Sequence, residues 1–315
     1  MTETCRTPAA GAHELSLTRL IEATPEQCFR AWIERLPDWW GPGGATTPLC
    51  DLELRPGGLM RTVMRGPDGN AYDMRGVFLE IDPPHRIVTT DAYGPGWQPT
   101  GKPFMTALAS FVAEGGGTRF TATARHWTEE DKAAHEAMGF HQGWGQSADR
   151  FAAVARTIGE AGEPLPELLL LRSLPAAPDA VWRAWTDAVQ LGRWWGPQGF
   201  TNPVCEADVR PGGTMRVVMR APSGEAYPMR GRYEAVEPGR RLVVVSEALA
   251  ADGRALLEGR TTVTIAAEGE GARLAVATGA RALVPEARPM LAGMVAGWSG
   301  SLERLAALLA GAAVT

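Results

Sequence analysis

From Cys50 to Arg55 apolar and charged residues take turns, with Cys50, Leu52 and Leu54 set against Asp51, Glu53 and Arg55. A period of two marks a strand with one face on a core and one face in water. Arg55-Pro56-Gly57-Gly58 follows as a tight turn, in which Pro fixes one φ and Gly accepts a positive one. The alternation then resumes, with Met60, Thr62 and Met64 on one face and Arg61, Val63 and Arg65 on the other. Beyond a second turn at Pro67-Asp68-Gly69-Asn70, the residues Tyr72, Met74, Gly76 and Phe78 share a face of a longer strand. Asp82-Pro83-Pro84 breaks that strand, Arg86-Ile87-Val88 starts another, and two more flank Gly115-Gly116-Gly117. Leu15, Leu17 and Ile21 suggest a first strand with less regular alternation.

Helical signals frame this strand-rich stretch. Thr24-Pro25-Glu26-Gln27 predicts a helix start, with Thr24 as cap, Pro25 at the first position and Gln27 closing a capping box. Phe29 and Trp32 fall on one face of that helix, and a second short helix ends at Trp39-Trp40 before Gly41-Pro42. Glu129, Glu130 and Asp131 suit the N-terminus of a long final helix running to Ile158.

The whole pattern occurs twice. Arg55 to Gly76 and Arg210 to Gly231 agree at 16 of 22 positions when shifted by 155. Trp39-Trp40-Gly41-Pro42 pairs with Trp194-Trp195-Gly196-Pro197, and Gly143-Trp144 with Gly297-Trp298. Such a period is far beyond solenoid repeats and indicates duplication of an entire domain. We therefore place one domain at 1–160, a Gly/Pro/Glu linker at 161–166 and a second domain at 167–315, an expectation that 315 residues accommodate. In the second copy the last helix runs from about Pro285 to Leu309, with Met290, Met294, Trp298, Leu302, Leu305 and Leu309 as one stripe.

A net charge of −5 leaves no basic footprint for nucleic acid or an anionic membrane, and no apolar run approaches a membrane span. The first residues lack a signal-peptide pattern. Cys5, Cys28, Cys50 and Cys205 form no CxxC, and buried free thiols suit the reducing cytoplasm, which is the expected location. No cofactor is implied, because no GxGxxG, P-loop or HExxH is present. His135 and His141 are six residues apart, a spacing unsuited to joint metal ligation on a helix, so no metal site is expected.

The motifs Trp39-Trp40-Gly41-Pro42, Arg55-Pro56-Gly57-Gly58, Met74-Arg75-Gly76, Gly117-Thr118-Arg119 and His135 to Phe140, with their second-copy counterparts, resemble the Aha1/CalC-like branch of the START-related SRPBCC superfamily. The resemblance implies an α+β chain of two tandem helix-grip domains, each a curved antiparallel sheet wrapped around a long C-terminal helix with a cavity between. It also implies binding of apolar or aromatic small molecules, with cyclases and resistance proteins among its members. The eukaryotic founder stimulates a chaperone ATPase and has an additional N-terminal domain that is not recognised here.

Alternation assigns the cavity wall to Met60, Met64, Tyr72, Met74 and Phe78 in the first copy, with Trp40, His141 and Trp144, and to Met215, Met219, Tyr227, Met229 and Tyr233 in the second, with Trp195, Met294 and Trp298. Methionine adapts to varied apolar ligands, although the same residues could form a solid core. All five histidines lie in the first copy, and the second lacks the histidine-containing helix entry. We therefore expect the first copy to bind the ligand and the second to act as its structural partner, packed as an internal pseudo-dimer. No catalytic residue is identified. The alternatives are a cyclase- or hydrolase-type enzyme using His126, His135 or His141, and a protein-binding module such as a chaperone cofactor.

Overall fold

The computed structural model describes residues 13–159 and 164–311. Cys5 and much of the expected linker lie outside the described residues. The chain forms two compact units, one of Met1–Thr47 with Arg55–Glu163, the other of Pro48–Leu54 with Pro164–Thr315.

In chain order the first repeat contains β1 (Glu14–Ile21), α1 (Pro25–Glu34), α2 (Leu36–Trp39), β2 (Thr46–Glu53), β3 (Leu59–Arg65), β4 (Ala71–Asp82), β5 (Arg86–Thr90), the short strands β6 (Tyr93–Gly94) and β7 (Gln98–Pro99), β8 (Thr106–Glu114), β9 (Gly117–Arg125), α3 (Glu129–Ala137) and α4 (Phe140–Ala155). The second contains β10 (Leu168–Leu174), α5 (Pro178–Thr186), α6 (Ala188–Trp194), β11 (Thr201–Ala207), β12 (Thr214–Arg220), β13 (Ala226–Glu237), β14 (Arg241–Leu249), β15 (Ala255–Glu268), β16 (Gly271–Ala282), α7 (Arg288–Ala292) and α8 (Met294–Leu309). These are tandem helix-grip domains.

The first unit has the antiparallel order β1-β9-β8-β5-β4-β3. The second has β10-β16-β15-β14-β13-β12-β11, and β2 from the first repeat pairs with its β10, Leu171 opposite Cys50. Sequence repeat and compact unit thus differ by one strand.

The capping box forms as expected, with Gln27 N–H donating to Thr24 Oγ1 and Thr24 N–H to Gln27 Oε1. The final helix departs from expectation. It breaks at Gly139, whose φ of +90 suits a residue without Cβ. In the second repeat the break falls at Gly293, between α7 and α8.

Gly117 and Gly271, which open the last strand of each sheet, are required by contact. A Cβ would lie 2.3 Å from Ile21 O in one unit and 2.3 Å from Leu174 O in the other. The Trp-Trp-Gly-Pro loops are tied to the final helices by arginine. Arg150 donates to Trp39 O and Gly41 O, and Arg304 to Arg193 O, Gly196 O and Pro197 O.

Candidate functional site: a hollow in the second unit

The second unit contains a cavity of about 930 Å³, bounded by β12 to β16 and by α7 and α8. The second-copy residues named from alternation, Met215, Met219, Tyr227, Met229 and Tyr233, all line it, as do Trp195, Met294 and Trp298. Sequence reasoning did not place Trp185, Leu242, Val263, Thr261, Thr278 and Met290 in the wall, which they also line.

Three tryptophans make one side. Trp195 and Trp298 meet edge to face at 5.4 Å, and Trp185 and Trp298 stack at 6.4 Å. Trp195 Nε1 points at Met229 Sδ, 3.3 Å away. The preceding Trp194 turns the other way, is fully buried and donates to Ala184 O at 2.8 Å. Successive tryptophans therefore divide between core and cavity.

The mouth lies at exposed lining residues Glu225, Ala226, Ala251 and Gly293. The deep end is made by Met215, Tyr233, Leu242, Val263 and Thr278, none more than 4% exposed. Thr278 Oγ1 donates to Arg260 O at 3.3 Å and accepts from Thr261 Oγ1 at 2.8 Å, so both hydroxyl protons are used. Tyr233 has no hydroxyl partner among the described residues, and burial, with Cys205 and Asp208 nearby, pushes its phenol up to about 12. No lysine, arginine or histidine lines the cavity among the described residues. A Cβ at Gly297 would meet nothing within 4 Å, so the room left by this mid-helix glycine remains free.

The first unit is different, and here the sequence expectation needs correction. At the corresponding place, between Trp32, Trp39, Trp40, Ala109, Phe120 and Trp144, the space is about 40 Å³. Of the residues assigned to its cavity, Trp40 and Trp144 reach this small space. Phe78 is packed in the core and Tyr72 is 47% exposed. Met60, Met64 and Met74 are half-buried, and Met64 Sδ lies where a Gly41 Cβ would be, 2.8 Å from it. His141 is exposed and sits 3.6 Å from Glu136. Of the two hollows expected, the second unit has the open one, and packing leaves little space in the first, where the ligand was expected to bind.

The cause is legible in the segment joining β5 to β8. In the second unit the equivalent chain is a tall hairpin, β14 paired with β15 from Arg241–Thr264 to Leu249–Ala255. In the first, Pro95, Pro99 and Pro103 interrupt the pairing. The Asp91 carboxylate accepts from the N–H groups of Phe104 and Met105, and the chain folds back. Phe104 then packs on His126 at 5.1 Å and His135 at 5.3 Å, while Met105 joins Leu15, Leu17, Ala124, Phe140 and Trp144. The residues equivalent to Met105 and His126 are Gly259 and Ala280, both of which line the open cavity. Phe111, Phe120 and Phe151, with ring centroids 4.6 to 6.2 Å apart, fill the volume further where the second copy has Ile265, Leu274 and Leu305.

Among the described residues no group of His, Cys, Asp and Glu is placed to hold a metal, and no helix is long and apolar enough to cross a membrane.

A model of the family described as Activator of Hsp90 ATPase homolog 1-like protein matches residues 22–156 and again 175–310. No curated protein matches the chain. Among solved structures, a Nitrosomonas europaea protein is 33% identical over 47% of this chain and 97% of its own, with a TM-score of 0.45. A Chromobacterium violaceum protein is 32% identical over 45% of this chain and 94% of its own, with a TM-score of 0.38. The AHSA1 protein of Silicibacter pomeroyi is 30% identical over 45% of this chain and 96% of its own, with a TM-score of 0.39.

Proposed function

Because the chain belongs to the Activator of Hsp90 ATPase homolog 1-like family, we propose that it binds a small apolar or aromatic molecule in the hollow of its second unit. The observation that carries this reading is the cavity of about 930 Å³ walled by methionine, tryptophan and aliphatic side chains. Its volume is at the upper end of the roughly 300–1,000 Å³ found for drug-sized ligands. A ligand burying about 300 Å² of apolar surface there would gain about 7 kcal/mol before its lost freedom is counted. Sequestration, with a role in resistance or stress, is the use that such binding would serve.

The lining favours binding over catalysis. Its deep end offers hydroxyls and rings but no carboxylate, imidazole or amine for proton transfer. The histidines considered as acids or bases belong to the packed first unit.

The test is a titration with the neutral fluorophore N-phenyl-1-naphthylamine, read by emission. One site per chain is expected, weakened at least about tenfold by Ala280→Trp, which puts an indole into the cavity. Absence of saturable binding, or full binding by the filled variant, would sink the reading.

A further inference from the structure

Two residues at the deep end of the cavity differ in chemistry from their first-unit counterparts: Tyr233 stands where the first copy has Phe78, and Thr278 where it has Ala124. The phenol is 2% exposed, lines the cavity, and has no hydrogen-bond partner among the described residues. Buried polar groups are nearly always satisfied, and an unpaired one needs an account. Trp185 Nε1 is also unpaired, but it is sealed inside the wall. Tyr233 Oη, unlike Trp185 Nε1, is not fully enclosed, and its residue borders the hollow. The phenol also stays protonated at neutral pH, since burial holds it up near 12, and it can donate as well as accept.

Charge sets a second condition. The lining has no cation to neutralise an anionic ligand, and its one carboxylate, Glu225, stands at the mouth with Tyr227 donating to it at 2.8 Å. A carboxylate or sulfonate entering past Glu225 would be desolvated without compensation. With both threonine protons used, the tyrosine is the hydroxyl donor left open at depth.

We infer that the ligand is neutral and mostly apolar and carries a hydrogen-bonding oxygen or nitrogen, which the Tyr233 hydroxyl anchors at the closed end of the hollow. This rests on the second-unit cavity being the binding site. The class is that of aromatic ketones, phenols and quinones, as opposed to fatty acids or bare hydrocarbons.

The experiment uses the full chain and displacement of N-phenyl-1-naphthylamine by three matched compounds: 9-fluorenone, fluorene and fluorene-9-carboxylate. In the wild type the carboxylate displaces least. Tyr233→Phe, the residue that the first copy already carries, shifts the fluorenone-to-fluorene preference about fivefold toward fluorene. The carbonyl stretch of bound fluorenone moves to lower frequency in the wild type, a readout that needs no variant. A preference untouched by Tyr233→Phe, an unshifted carbonyl stretch, or a carboxylate that displaces best overturns the inference. If Ala280→Trp abolishes fluorophore binding while Tyr233→Phe leaves the preference intact, the cavity reading stands and only the anchor falls. If Ala280→Trp has no effect, the site itself is wrong.

Discussion

Arg172 Nη1 stands 2.7 Å from Asp51 Oδ1, with the two side chains 5% and 0% exposed. Ser299 completes the group, donating to Asp51 Oδ2 at 2.8 Å and accepting from Arg172 Nη2 at 3.2 Å. A buried pair of this kind can contribute little net stability while intact, yet it is costly to break from one side. Asp51→Ala is expected to cost about 3–5 kcal/mol in urea unfolding, because the guanidinium is left without its anion. The double variant Asp51→Leu/Arg172→Met should recover most of that loss. A single variant within about 0.5 kcal/mol of wild type would show that water reaches the pair.

The histidine pair of the first unit gives a pH dependence of definite sign. His126 Nδ1 donates to Phe104 O at 3.0 Å, so its Nε2 accepts from His135 Nδ1 at 3.1 Å, an arrangement of two neutral rings. Burial, then the neighbouring His126, pushes His135 down to about 4 from 6.5. The unfolded chain therefore binds a proton below pH 6.5 that the folded chain refuses until about pH 4. Stability should be level above that window and fall through it on acidification, by up to about 3 kcal/mol from this group. His135→Leu should flatten that part of the profile, measured as the difference between variant and wild type from pH 7 to 4. Equal slopes would refute the assignment.

Packing density predicts an asymmetry between the units. Phe151 is fully buried between Trp39, Phe111 and Phe120, and Phe151→Ala should cost about 3–5 kcal/mol. Met294 already borders free space, so Met294→Ala should cost under about 2 kcal/mol. Equal losses in chemical denaturation would mean that the hollow is closed in solution.

The strand-opening glycines should be intolerant of even one carbon. Gly117→Ala and Gly271→Ala each drive a Cβ into a backbone carbonyl, and each is expected to cost about 2–3 kcal/mol by thermal or urea unfolding. Gly115→Ala meets no atom within 4 Å but has a φ of +59 and should cost less, about 1 kcal/mol.

Much of this architecture was legible because local chemistry and fold agree. The alternation of Met60 to Met64, the capping box at Thr24 and the duplicated Trp-Trp-Gly-Pro loops all fix elements through short-range rules. The filling of the first hollow has no local signature, because His126 and His135 look like chemistry in the sequence and act as packing in the fold. The readable signal lay elsewhere. Residues 91–105 carry three prolines and the equivalent 246–259 carry none, so only the second copy can raise a continuous hairpin. Arg150 and Arg304 were also missed, since an arginine that binds carbonyls distant in sequence leaves no local pattern.

The strand at 48–54 lies far ahead of the body that it completes. A fragment starting at residue 164 would lack that strand, leaving the amides and carbonyls of Leu168 to Arg172 open along one edge and Arg172 without its counterion. Such an edge invites another chain to pair with it. Clumping of that fragment would reflect a missing piece of architecture and would say nothing about how well the native hollow holds its guest.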